Sequence, residues 1–314
     1  MNNRKVVLVT GHAGFIGSHL TNRLLSLGFT VAGIDNYNDY YNPEYKVKNV
    51  AAFLAHPNFS EHRLDILDQK KLKQVFDKQK FDGVIHLAAR AGVRPSLENP
   101  QLYRDVNVTG TKNLIDLAKK FKVKQFIFAS SSSVYGNQTK VPFSETDLLN
   151  PPVSPYAETK LAAEKICQES GLRSTVLRFF TVYGPAGRPD MAPYLFTRAI
   201  LAGQPIIRYG DGSTKRDYTY IDDIVNGIVA AINLPFTYEI INLGNNQPIT
   251  LNKLIATIEE LTGKKANIQE KPRHPADVPL TYADIAKAQK LLAWRPKTDL
   301  KTGLNFFIRS MTKN

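Results

Sequence analysis

Tyr156 and Lys160 are the pair of side chains in this chain most suited to chemistry. They stand four residues apart, so on a helix they share one face and the lysine ammonium lies close to the phenol. A free tyrosine titrates near pH ~10, so a tyrosine base working near neutrality needs a shift of roughly three pKa units, about 4 kcal/mol. The lysine charge, together with a cationic ligand ring, could supply that stabilisation. The pair therefore indicates a tyrosine general base assisted by a lysine.

The context of the pair decides between this interpretation and a solvated helix face. A chain with 14 tyrosines and abundant lysine contains about one such spacing by chance. Here a run of serines, Ser130 to Ser133, precedes the pair, and Ser154 and Pro155 stand directly before it. Serine is a suitable N-cap and proline suits the first helical position. We therefore predict that Tyr156 opens a helix and that the pair is catalytic.

A glycine series near the start of the chain predicts a dinucleotide site. Gly11, Gly14 and Gly17 follow a short β-rich run and precede an amphipathic stretch. Such a turn lets the backbone approach a pyrophosphate at the positive end of a helix. Asp35 ends the second predicted strand, where a carboxylate suits ribose hydroxyls and repels a 2′-phosphate, so we expect NAD rather than NADP. The alternative is that Asp35 and Asn36 form a plain strand-ending turn.

Composition narrows the range of partners. The chain has 314 residues and a formal net charge of +13, which could suit nucleic acid, a membrane surface or an anionic small substrate. The basic residues occur in short groups at predicted helix ends, so we expect a small anionic substrate, with no nucleic acid and no membrane as partner. Cys167 is the only cysteine, and no Cys or His spacing suits zinc, so neither a disulfide nor a metal is expected. The absence of a signal-like or membrane-spanning apolar run predicts a soluble, cytoplasmic protein.

The order of predicted elements indicates an α/β fold. Short β-rich runs alternate with longer amphipathic stretches in the first half, the pattern of a Rossmann-type doubly wound parallel sheet. We assign residues 1–180, with a later return near 217–242, to an NAD-binding domain, and residues 181–314 to a smaller mixed α/β lobe that binds substrate. The predicted strands are Lys5 to Thr10, Thr30 to Asp35, Phe59 to Arg63, Gly83 to Leu87, Gln125 to Ala129 and Ser174 to Phe179. The helices predicted between these strands are Phe15 to Leu27, Gln69 to Lys78 and the two long ones, Pro100 to Phe121 and Pro155 to Ser170.

These motifs together resemble a known family. The glycine series, Asp65 with Ile66, His86 to Ala89, Ser130 to Gly136 and the Tyr156–Lys160 pair are similar to those of the extended short-chain dehydrogenase/reductase family of nucleotide-sugar enzymes. The resemblance runs almost end to end. Within that family the chain most resembles the UDP-glucuronate 4-epimerases, on the segments Asp35 to Tyr41, Ala91 to Arg94, Arg178 to Gly184, Gly187 to Met191 and Arg216 to Asp223.

The resemblance implies a role for each matching residue. Ser131 would bond the sugar 4-oxygen beside the Tyr156 base, and Lys160 would also hold the nicotinamide ribose. Asp65 and Ile66 would meet adenine. The implied NAD-binding residues are Gly11, Ala13, Gly14, Phe15, Ile16, Gly17, Asp35, Asn36, Asp65, Ile66, Leu87, Ala88, Ala89, Asn107, Tyr156 and Lys160. The implied substrate-binding residues are Arg94, Ser132, Ser133, Thr181, Arg188, Arg216 and Asp277. Of these, Ser132, Ser133, Thr181 and Arg188 would lie around the sugar's C5 substituent, Arg216 at the diphosphate and Asp277 near the uridine ribose.

Some of these residues have plainer alternatives. Leu87 to Ala89 could be a buried strand end, the serines could cap a turn, and Arg188 could be a solvated loop residue. The helix from Pro155 ends near Gly171, about one turn early for the four-helix bundle through which members of the family commonly form homodimers. The expectation of a homodimer therefore comes from the resemblance and not from the length of this helix.

The resemblance implies C4 epimerisation of a UDP-sugar, most simply of UDP-glucuronate to UDP-galacturonate. UDP-glucose and UDP-N-acetylglucosamine are alternative substrates. A 4,6-dehydratase typically carries Asp-Glu immediately before Val134, where this chain has Ser132 and Ser133, and a UDP-glucuronate decarboxylase typically has Glu at Ser133. A non-catalytic NAD-binding protein of the same fold often loses the Tyr/Lys pair, which this chain retains.

Overall fold

The computed structural model of the chain describes residues 4–232, 237–273 and 278–312. These residues form two compact units. The first unit contains the chain up to Gly136, together with Leu149–Arg178 and Val225–Ile241. The second unit contains Asn137–Leu148, Phe179–Ile224 and the chain from Asn242 onward. The division predicted at residue 180 therefore differs for residues 137–148, which belong to the second unit, and the return begins at Val225 rather than near 217. Residues 137–148 connect a strand of the first unit to a helix of the same unit. Because their composition does not differ from that of an ordinary connection, the sequence does not reveal that they belong to the second unit.

Up to Phe179, one or more helices separate each strand from the next. In chain order they are β1 (Val6–Thr10), α1 (Phe15–Ser26), β2 (Thr30–Asp35), α2 (Glu44–Val50), β3 (Phe59–Arg63), α3 (Gln69–Lys78), β4 (Gly83–His86), α4 (Val93–Glu98), α5 (Pro100–Arg104), α6 (Gly110–Lys120), β5 (Gln125–Ser131), α7 (Pro155–Glu169) and β6 (Ser174–Phe179). They continue as β7 (Thr181–Tyr183), α8 (Ala192–Leu201), β8 (Pro205–Tyr209), β9 (Lys215–Tyr220), α9 (Ile221–Ile232), β10 (Tyr238–Leu243), β11 (Pro248–Thr250), α10 (Leu251–Thr262), β12 (Asn267–Lys271), α11 (Ala286–Leu292) and α12 (Leu300–Thr312). The six predicted strands agree with β1 to β6 within two residues at each end.

The sheet of the first unit has seven strands in the order β10-β6-β5-β4-β1-β2-β3. The pairs β1–β2, β1–β4, β2–β3 and β4–β5 are parallel. The direction of strand succession reverses between β1 and β4, and ligands of open parallel sheets bind outside the carboxyl ends of the strands at such a point. The predicted α/β class with a Rossmann-type doubly wound sheet is confirmed. The segments that follow β1 and β4 are therefore the ones to consider for a cofactor.

An apolar core fixes the helices of the first unit against this sheet. Leu8 of β1 and Phe126 of β5 are fully buried, as are Leu72 of α3, Leu114 of α6 and Ala163 of α7. Burial of apolar surface stabilises such packing by about 25 cal/mol per Å². Because the helices cannot shift without exposing this surface, the residues at the carboxyl edge of the sheet are held in fixed positions.

The helix predicted over Pro100 to Phe121 contains an irregular turn. A π-helical turn, Asp105–Thr109, lies between α5 and α6. The Asn99 side chain accepts a hydrogen bond from the Leu102 backbone nitrogen and caps α5 as it begins. Single π turns inside helices are frequent at functional sites because they redirect one side chain. Asn107 lies in the middle of this turn.

The second unit contains two small sheets. β9 pairs in parallel with β7 and antiparallel with β11, and β8 pairs in parallel with β12. This agrees with the mixed α/β character predicted for the second lobe. No helix in the three described segments is long and apolar enough to cross a membrane. The same residues contain no group of three or more His, Cys, Asp or Glu side chains arranged to hold a metal ion.

Candidate active site

Three glycines shape the turn between β1 and α1. Gly11 has a φ of 75°, and a Cβ there would lie 2.8 Å from the Ala88 backbone nitrogen. A Cβ on Gly17 would lie 1.9 Å from the Gly11 carbonyl oxygen. Gly14 caps α1 without a side-chain hydrogen bond. The turn thus needs glycine for steric reasons, and it presents the positive end of α1 to a ligand, as a pyrophosphate requires.

The other predicted residues of this turn are held by the protein around them. Ala13 and Phe15 are buried, and Ile16 is half-buried. The Asn49 side chain donates a hydrogen bond of 3.1 Å to the Ala13 carbonyl oxygen, which ties the turn to α2. The turn is therefore fixed by its own glycines and by a neighbouring helix.

Asp35 lies at the carboxyl end of β2, as predicted, and is only 6% exposed. Its Oδ1 accepts hydrogen bonds of 2.8 Å from the Tyr37 backbone nitrogen and 3.0 Å from Lys46 Nζ. Lys46 is 5% exposed, so this is a buried ion pair. Among the described residues, Oδ2 accepts no hydrogen bond, which leaves one carboxylate oxygen for the ribose hydroxyls of a dinucleotide. Sequence reasoning missed Lys46, which no spacing or periodicity distinguishes from the other lysines.

A polar cluster supports the segment after Asp35. Glu61 on β3 accepts hydrogen bonds from Tyr37 Oη at 2.5 Å and from Arg63 Nε at 2.8 Å, and His12 Nε2 lies 3.2 Å from it. Burial alone would raise the pKa of Glu61, yet these three hydrogen bonds outweigh it and lower the pKa. Burial and the bond to Glu61 raise the pKa of Tyr37 well above its usual range. The cluster therefore stays as a carboxylate bound to a neutral phenol.

Asn36, Asp65 and Ile66 form the neighbouring part of the predicted adenosine site. Asn36 Nδ2 donates to Asp65 Oδ2 at 2.7 Å, and the Leu67 backbone nitrogen donates to Asp65 Oδ1 at 2.8 Å. Ile66 is 4% exposed, and a Cβ on Gly110 would lie 2.5 Å from its Cδ1. The structure thus brings Asn36 and Asp65 together from two different strand ends.

The segment after β4 contains Leu87, Ala88 and Ala89, which are all half-buried rather than buried. Asn107 supports this segment from the π-helical turn. Its Nδ2 donates to the Arg90 carbonyl oxygen at 3.0 Å and to Thr159 Oγ1 at 3.0 Å, and its Oδ1 accepts from the Arg90 backbone nitrogen at 2.8 Å. These hydrogen bonds place Asn107 behind the segment after β4. Its direct contact with a cofactor stays a prediction.

His86, the last residue of β4, is held neutral inside the sheet. Thr111 Oγ1 donates to the Asn107 carbonyl oxygen at 2.6 Å, so it accepts from His86 Nε2 at 2.9 Å. Nδ1 then accepts from Thr10 Oγ1 at 2.7 Å. Burial and the nearby charge of Lys160 lower the pKa of His86 to about 3. This histidine therefore links β1, β4 and α6 and does not exchange protons near neutral pH.

Helix α7 begins as the sequence predicts and presents Tyr156 and Lys160. Ser154 Oγ accepts from the Ala157 backbone nitrogen at 3.2 Å, which caps the helix. Tyr156 is half-buried, whereas Lys160, one turn later, is only 3% exposed. Lys160 does not lie on a solvated helix face, contrary to the plainer interpretation of the pair.

The Lys160 ammonium is held by the end of β5. Nζ donates a hydrogen bond of 2.7 Å to the Ala129 carbonyl oxygen and lies 4.9 Å from the centre of the Phe128 ring. Burial lowers the pKa of Lys160 to about 8, and the charge of Glu164 acts in the opposite direction. A lysine with this pKa is still largely charged at neutral pH, and it can stabilise a phenolate on the same helix face.

The serine run divides into two parts. Ser130 points into the unit and donates to Glu164 Oε1 at 2.5 Å. Ser131 Oγ accepts from the Ser133 backbone nitrogen at 3.2 Å and so caps a 3₁₀ turn, Ser132–Tyr135. Ser131, Ser132 and Ser133 are half-buried at the carboxyl edge of the sheet. Ser131 thus does cap a turn, and the cap fixes the position of a hydroxyl at this edge.

Sequence reasoning missed a buried ion pair behind the serines. Arg178 of β6 donates to Glu164 from Nε at 3.0 Å and from Nη2 at 2.8 Å. The side chains of Arg178 and Glu164 are 3% and 4% exposed. Two signals could have indicated the pair: Glu164 stands four residues after Lys160, and Arg178 is the one charged residue of β6.

The remaining predicted substrate residues lie in different parts of the chain. Arg94, in the first unit, is a half-buried residue of α4. In the second unit, Thr181 starts β7 in register with Tyr218.

Two arginines of the second unit are engaged locally, and one predicted residue cannot be placed. Arg188 donates to both oxygens of Asp190, at 2.9 Å from Nε and 2.5 Å from Nη2. Arg216 Nη1 donates to the Lys215 carbonyl oxygen at 2.9 Å. Asp277 lies outside the described residues. The substrate roles of all three stay predictions.

Comparison with known proteins agrees with this geometry. Residues 7–244 match the model of the NAD dependent epimerase/dehydratase family. The chain is 47% identical, over 95% of its own length and 93% of the relative's, to a UDP-glucuronate 4-epimerase of Thermodesulfobacterium geofontis.

Solved structures resemble the chain along nearly its whole length. A UDP-glucuronic acid 4-epimerase from Bacillus cereus, crystallised with UDP-glucuronic acid and NAD, matches with a TM-score of 0.92 and 37% identity, covering 98% of this chain and 99% of that one. A UDP-glucose 4-epimerase from Thermotoga maritima, crystallised with UDP-glucose, matches with a TM-score of 0.89 and 33% identity, over 98% and 99% of the two chains.

Proposed function

The chain belongs to the NAD-dependent epimerase/dehydratase family, and we propose that it inverts the C4 centre of a UDP-sugar, interconverting UDP-glucuronate and UDP-galacturonate. One observation of the structure carries the chemistry. Lys160 is 3% exposed, one helical turn after the half-buried Tyr156. A buried charge needs a reason, and a neighbouring phenolate base provides one.

The glycine turn after β1 fits the cofactor of this family. Only glycine can occupy position 17, where a Cβ would lie 1.9 Å from the Gly11 carbonyl oxygen, and α1 begins there without a side-chain cap. Gly11, Gly14 and Gly17 would hold the pyrophosphate, Asp35 the adenosine ribose, and Asp65 with Ile66 the adenine. When bound, NAD supplies a reversible acceptor for the hydride on C4.

The protein's own residues handle the proton and the oxygen at C4. Tyr156 takes the proton of the 4-hydroxyl while Lys160 stabilises the phenolate. The Ser131 hydroxyl, fixed by its cap on the 3₁₀ turn, holds the 4-oxygen through a hydrogen bond. Inversion requires the 4-keto sugar to turn its other face toward the cofactor before Tyr156 returns the proton. No net oxidation results.

Two observations together support the epimerisation of a uronic acid, the first through the sugar and the second through the type of reaction. The relative with 47% identity is named a UDP-glucuronate 4-epimerase. The 3₁₀ turn after β5 has Ser132 and Ser133 where dehydratases and decarboxylases typically have acids. A substrate oxidised at C4 is a β-keto acid, so the site must hold the carboxylate in an orientation that resists loss of CO₂. Serine hydroxyls with Thr181 and Arg188 are suited to this task because they donate to an anion.

A neutral sugar is the second candidate, and the state of Arg188 favours it. The Nε and Nη2 groups of this guanidinium both donate hydrogen bonds to the Asp190 carboxylate. A carboxylate of the substrate would have to displace or share this partner. UDP-glucose would make no such demand.

Product analysis distinguishes the two candidates. NAD-loaded protein is incubated separately with UDP-glucuronate, UDP-glucose and UDP-N-acetylglucosamine, and the products are identified by NMR. We expect UDP-galacturonate from UDP-glucuronate, with kcat/KM at least about 10² above that for UDP-glucose, because a neutral sugar leaves carboxylate-binding groups unpaired. UDP-glucose as the better substrate, or a UDP-pentose as main product, would contradict the proposal.

Tyr156→Phe is the matched control for the chemistry. It removes one oxygen and should leave folding and NAD content unchanged while kcat falls by about 10² or more. Near-normal turnover would show that another group is the base. The homodimer implied by the resemblance stays a prediction, which light scattering can test.

A further inference from the structure

Glu164 lies at the centre of a charged cluster that the proposed chemistry does not use. Its Oε1 accepts from Ser130 Oγ at 2.5 Å and from Arg178 Nε at 3.0 Å, and its Oε2 accepts from Arg178 Nη2 at 2.8 Å. Glu164, Arg178 and Ser130 are each at most 3% exposed. Because the donors come from β5 and β6 and the carboxylate from α7, the cluster joins three elements.

Glu164 also shares a helix face with Lys160. The two residues stand four apart on α7, one turn along the face that Tyr156 begins. Both carboxylate oxygens are occupied by Arg178 and Ser130, so Glu164 acts on the Lys160 ammonium through its charge rather than through a shared hydrogen bond. Burial lowers the pKa of Lys160, and the Glu164 charge opposes that shift.

The other polar groups around Lys160 do not provide a negative charge. The ammonium donates to the neutral carbonyl of Ala129, and His86 on β4 is neutral because its pKa is lowered to about 3. Burial raises the pKa of the Cys167 thiol, so it too is neutral. Tyr238 of β10 faces Glu164, and burial raises its pKa well above the usual range, so it is an uncharged phenol.

Arg178 ties this charge to the catalytic edge of the sheet. Its guanidinium lies 4.8 Å from the centre of the Tyr135 ring, at the end of the 3₁₀ turn that Ser131 caps. One guanidinium therefore holds Glu164 on one side and the serine turn on the other. The cluster therefore fixes the charge beside Lys160 and contacts the end of the turn that follows Ser131.

A structural role alone does not account for a charged pair here. Buried ion pairs are costly to desolvate, and replacing one with apolar residues of similar volume is often neutral or stabilising. What requires a negative charge at this place is a second buried cation. Lys160 is that cation, and the proposed reaction needs it charged.

We propose that Glu164, locked in place by Arg178 and Ser130, is a positioning residue whose negative charge keeps Lys160 protonated and thereby sets the upper pH limit of catalysis. The proposal rests on the proposed function, since it assumes that Lys160 assists the Tyr156 base. Arg178 acts on Glu164, and Glu164 acts on Lys160.

The first test is the pH dependence of kcat for the NAD-loaded protein with UDP-glucuronate, between about pH 6 and pH 9. Glu164→Gln keeps the shape of the side chain and removes its charge. At alkaline pH, kcat should fall as Lys160 loses its proton, and this fall is the alkaline limb of the profile. In Glu164→Gln we expect this fall to occur about one pH unit lower, so that kcat is reduced roughly fivefold at pH 8 and little at pH 6. A loss by the same factor at every pH would show a merely structural role and overturn the proposal.

Two further variants separate charge from packing. Glu164→Asp keeps the charge and shortens the side chain, so its alkaline limb should stay within a few tenths of a pH unit of the original. A limb that moves as far as with Gln would overturn the proposal. Glu169→Gln makes the same substitution at a position of α7 where the side chain is 64% exposed. It should leave the pH dependence of kcat unchanged.

The substitution Glu164→Gln leaves Arg178 without its charged partner and could prevent folding. In that case Glu164→Gln combined with Arg178→Gln removes both charges. The double variant should still show a downward shift, smaller than that of Glu164→Gln alone, because it also removes the positive charge of Arg178 that partly offsets Glu164. An unshifted limb in the double variant would overturn the proposal.

A second readout needs no substrate. The ultraviolet absorption of tyrosinate is titrated in the NAD-loaded protein, and the titration of Tyr156→Phe is subtracted to isolate Tyr156. In Glu164→Gln the phenolate should form at higher pH, because Lys160 loses its proton earlier. An unchanged titration would overturn the proposal. If no UDP-sugar is epimerised, the proposed function fails while this titration still reports the coupling between Glu164 and Lys160.

Discussion

At the scale of single residues, the site depends on charges held out of water. Lys160 is 3% exposed and keeps a pKa of about 8, between the low value that burial alone would give and that of a free lysine. Asp35 and Lys46 form a comparable buried pair at the end of β2. Each of these buried charges has an opposite charge nearby, Lys46 of α2 for Asp35 of β2 and Glu164 of the same helix for Lys160, because an isolated buried ion is too costly.

The Asp35 carboxylate predicts the choice of dinucleotide. A 2′-phosphate would bring negative charge to a buried carboxylate whose Lys46 partner is already engaged at 3.0 Å. We expect NADP to bind apo protein far more weakly than NAD, as measured by calorimetry. Asp35→Asn should reduce the preference for NAD by about tenfold or more, because it removes the repulsion and leaves Lys46 free to meet the phosphate.

Asp39→Asn is the control for this prediction, since Asp39 is an exposed acid four residues further on. It should leave the ratio of the two affinities unchanged. Equal affinities of the original protein for NAD and NADP would show that Asp35 does not face the ribose.

At the scale of elements, helix α7 presents the catalytic pair, and short turns place the groups around it. The β1–α1 turn, the π-helical turn and the 3₁₀ turn after β5 each set one group at the carboxyl edge of the sheet. The rigid core fixes where each turn begins, and local hydrogen bonds fix how it ends. Asn107 illustrates this, since a single amide holds the Arg90 backbone and Thr159 at once.

Gly17→Ala tests the role of the first of these turns. The added Cβ would lie 1.9 Å from the Gly11 carbonyl oxygen, so the turn has to open. We expect purified protein to lose most of its NAD and to unfold at a lower temperature, since the affected atoms are backbone and cannot move aside cheaply. Bound NAD is measured by absorbance after release and folding by circular dichroism.

The matched substitution is Gly83→Ala on β4. Its Cβ would meet the Gln125 carbonyl oxygen at 3.6 Å, an ordinary contact. NAD content should therefore stay close to that of the original protein. Full NAD content in Gly17→Ala would mean that the turn is not the pyrophosphate site.

At the scale of the whole molecule, the net charge of +13 acts on every anion that approaches. The proposed substrate, UDP-glucuronate, carries one more negative charge than UDP-glucose. Salt screens such attraction over a Debye length of about 10 Å at 0.1 M. The net charge should therefore affect the rate at which an anionic substrate binds, and not the fold.

Raising added salt from about 20 mM to about 300 mM should lower kcat/KM for UDP-glucuronate several-fold. The fall for UDP-glucose should be smaller, because its charge is smaller. The rate at saturating substrate should change little in either case, which serves as an internal control. Equal salt dependence for both sugars would show that the net charge does not contribute to recognition.

The sequence alone determined the features that depend on neighbours in the chain. Ser154 and Pro155 predicted the start of α7, the glycine series predicted the β1–α1 turn, and the apolar runs predicted the strands of the parallel sheet. These features follow from backbone preferences and from side chains a few residues apart. A pattern read along the chain is enough to identify them.

The tertiary structure alone decided which charges are buried and what balances them. Ser130 and Glu164 are 34 residues apart, Glu164 and Arg178 are 14 apart, and each pair meets only because α7 packs on β5 and β6. Lys46 is one of many lysines until α2 brings it to Asp35. The cost of burying a charge depends on the medium that all the elements create together. The spacing of Tyr156 and Lys160 therefore suggested a base and its partner, and the packed core decided that Lys160 is buried with Glu164 as its counter-charge.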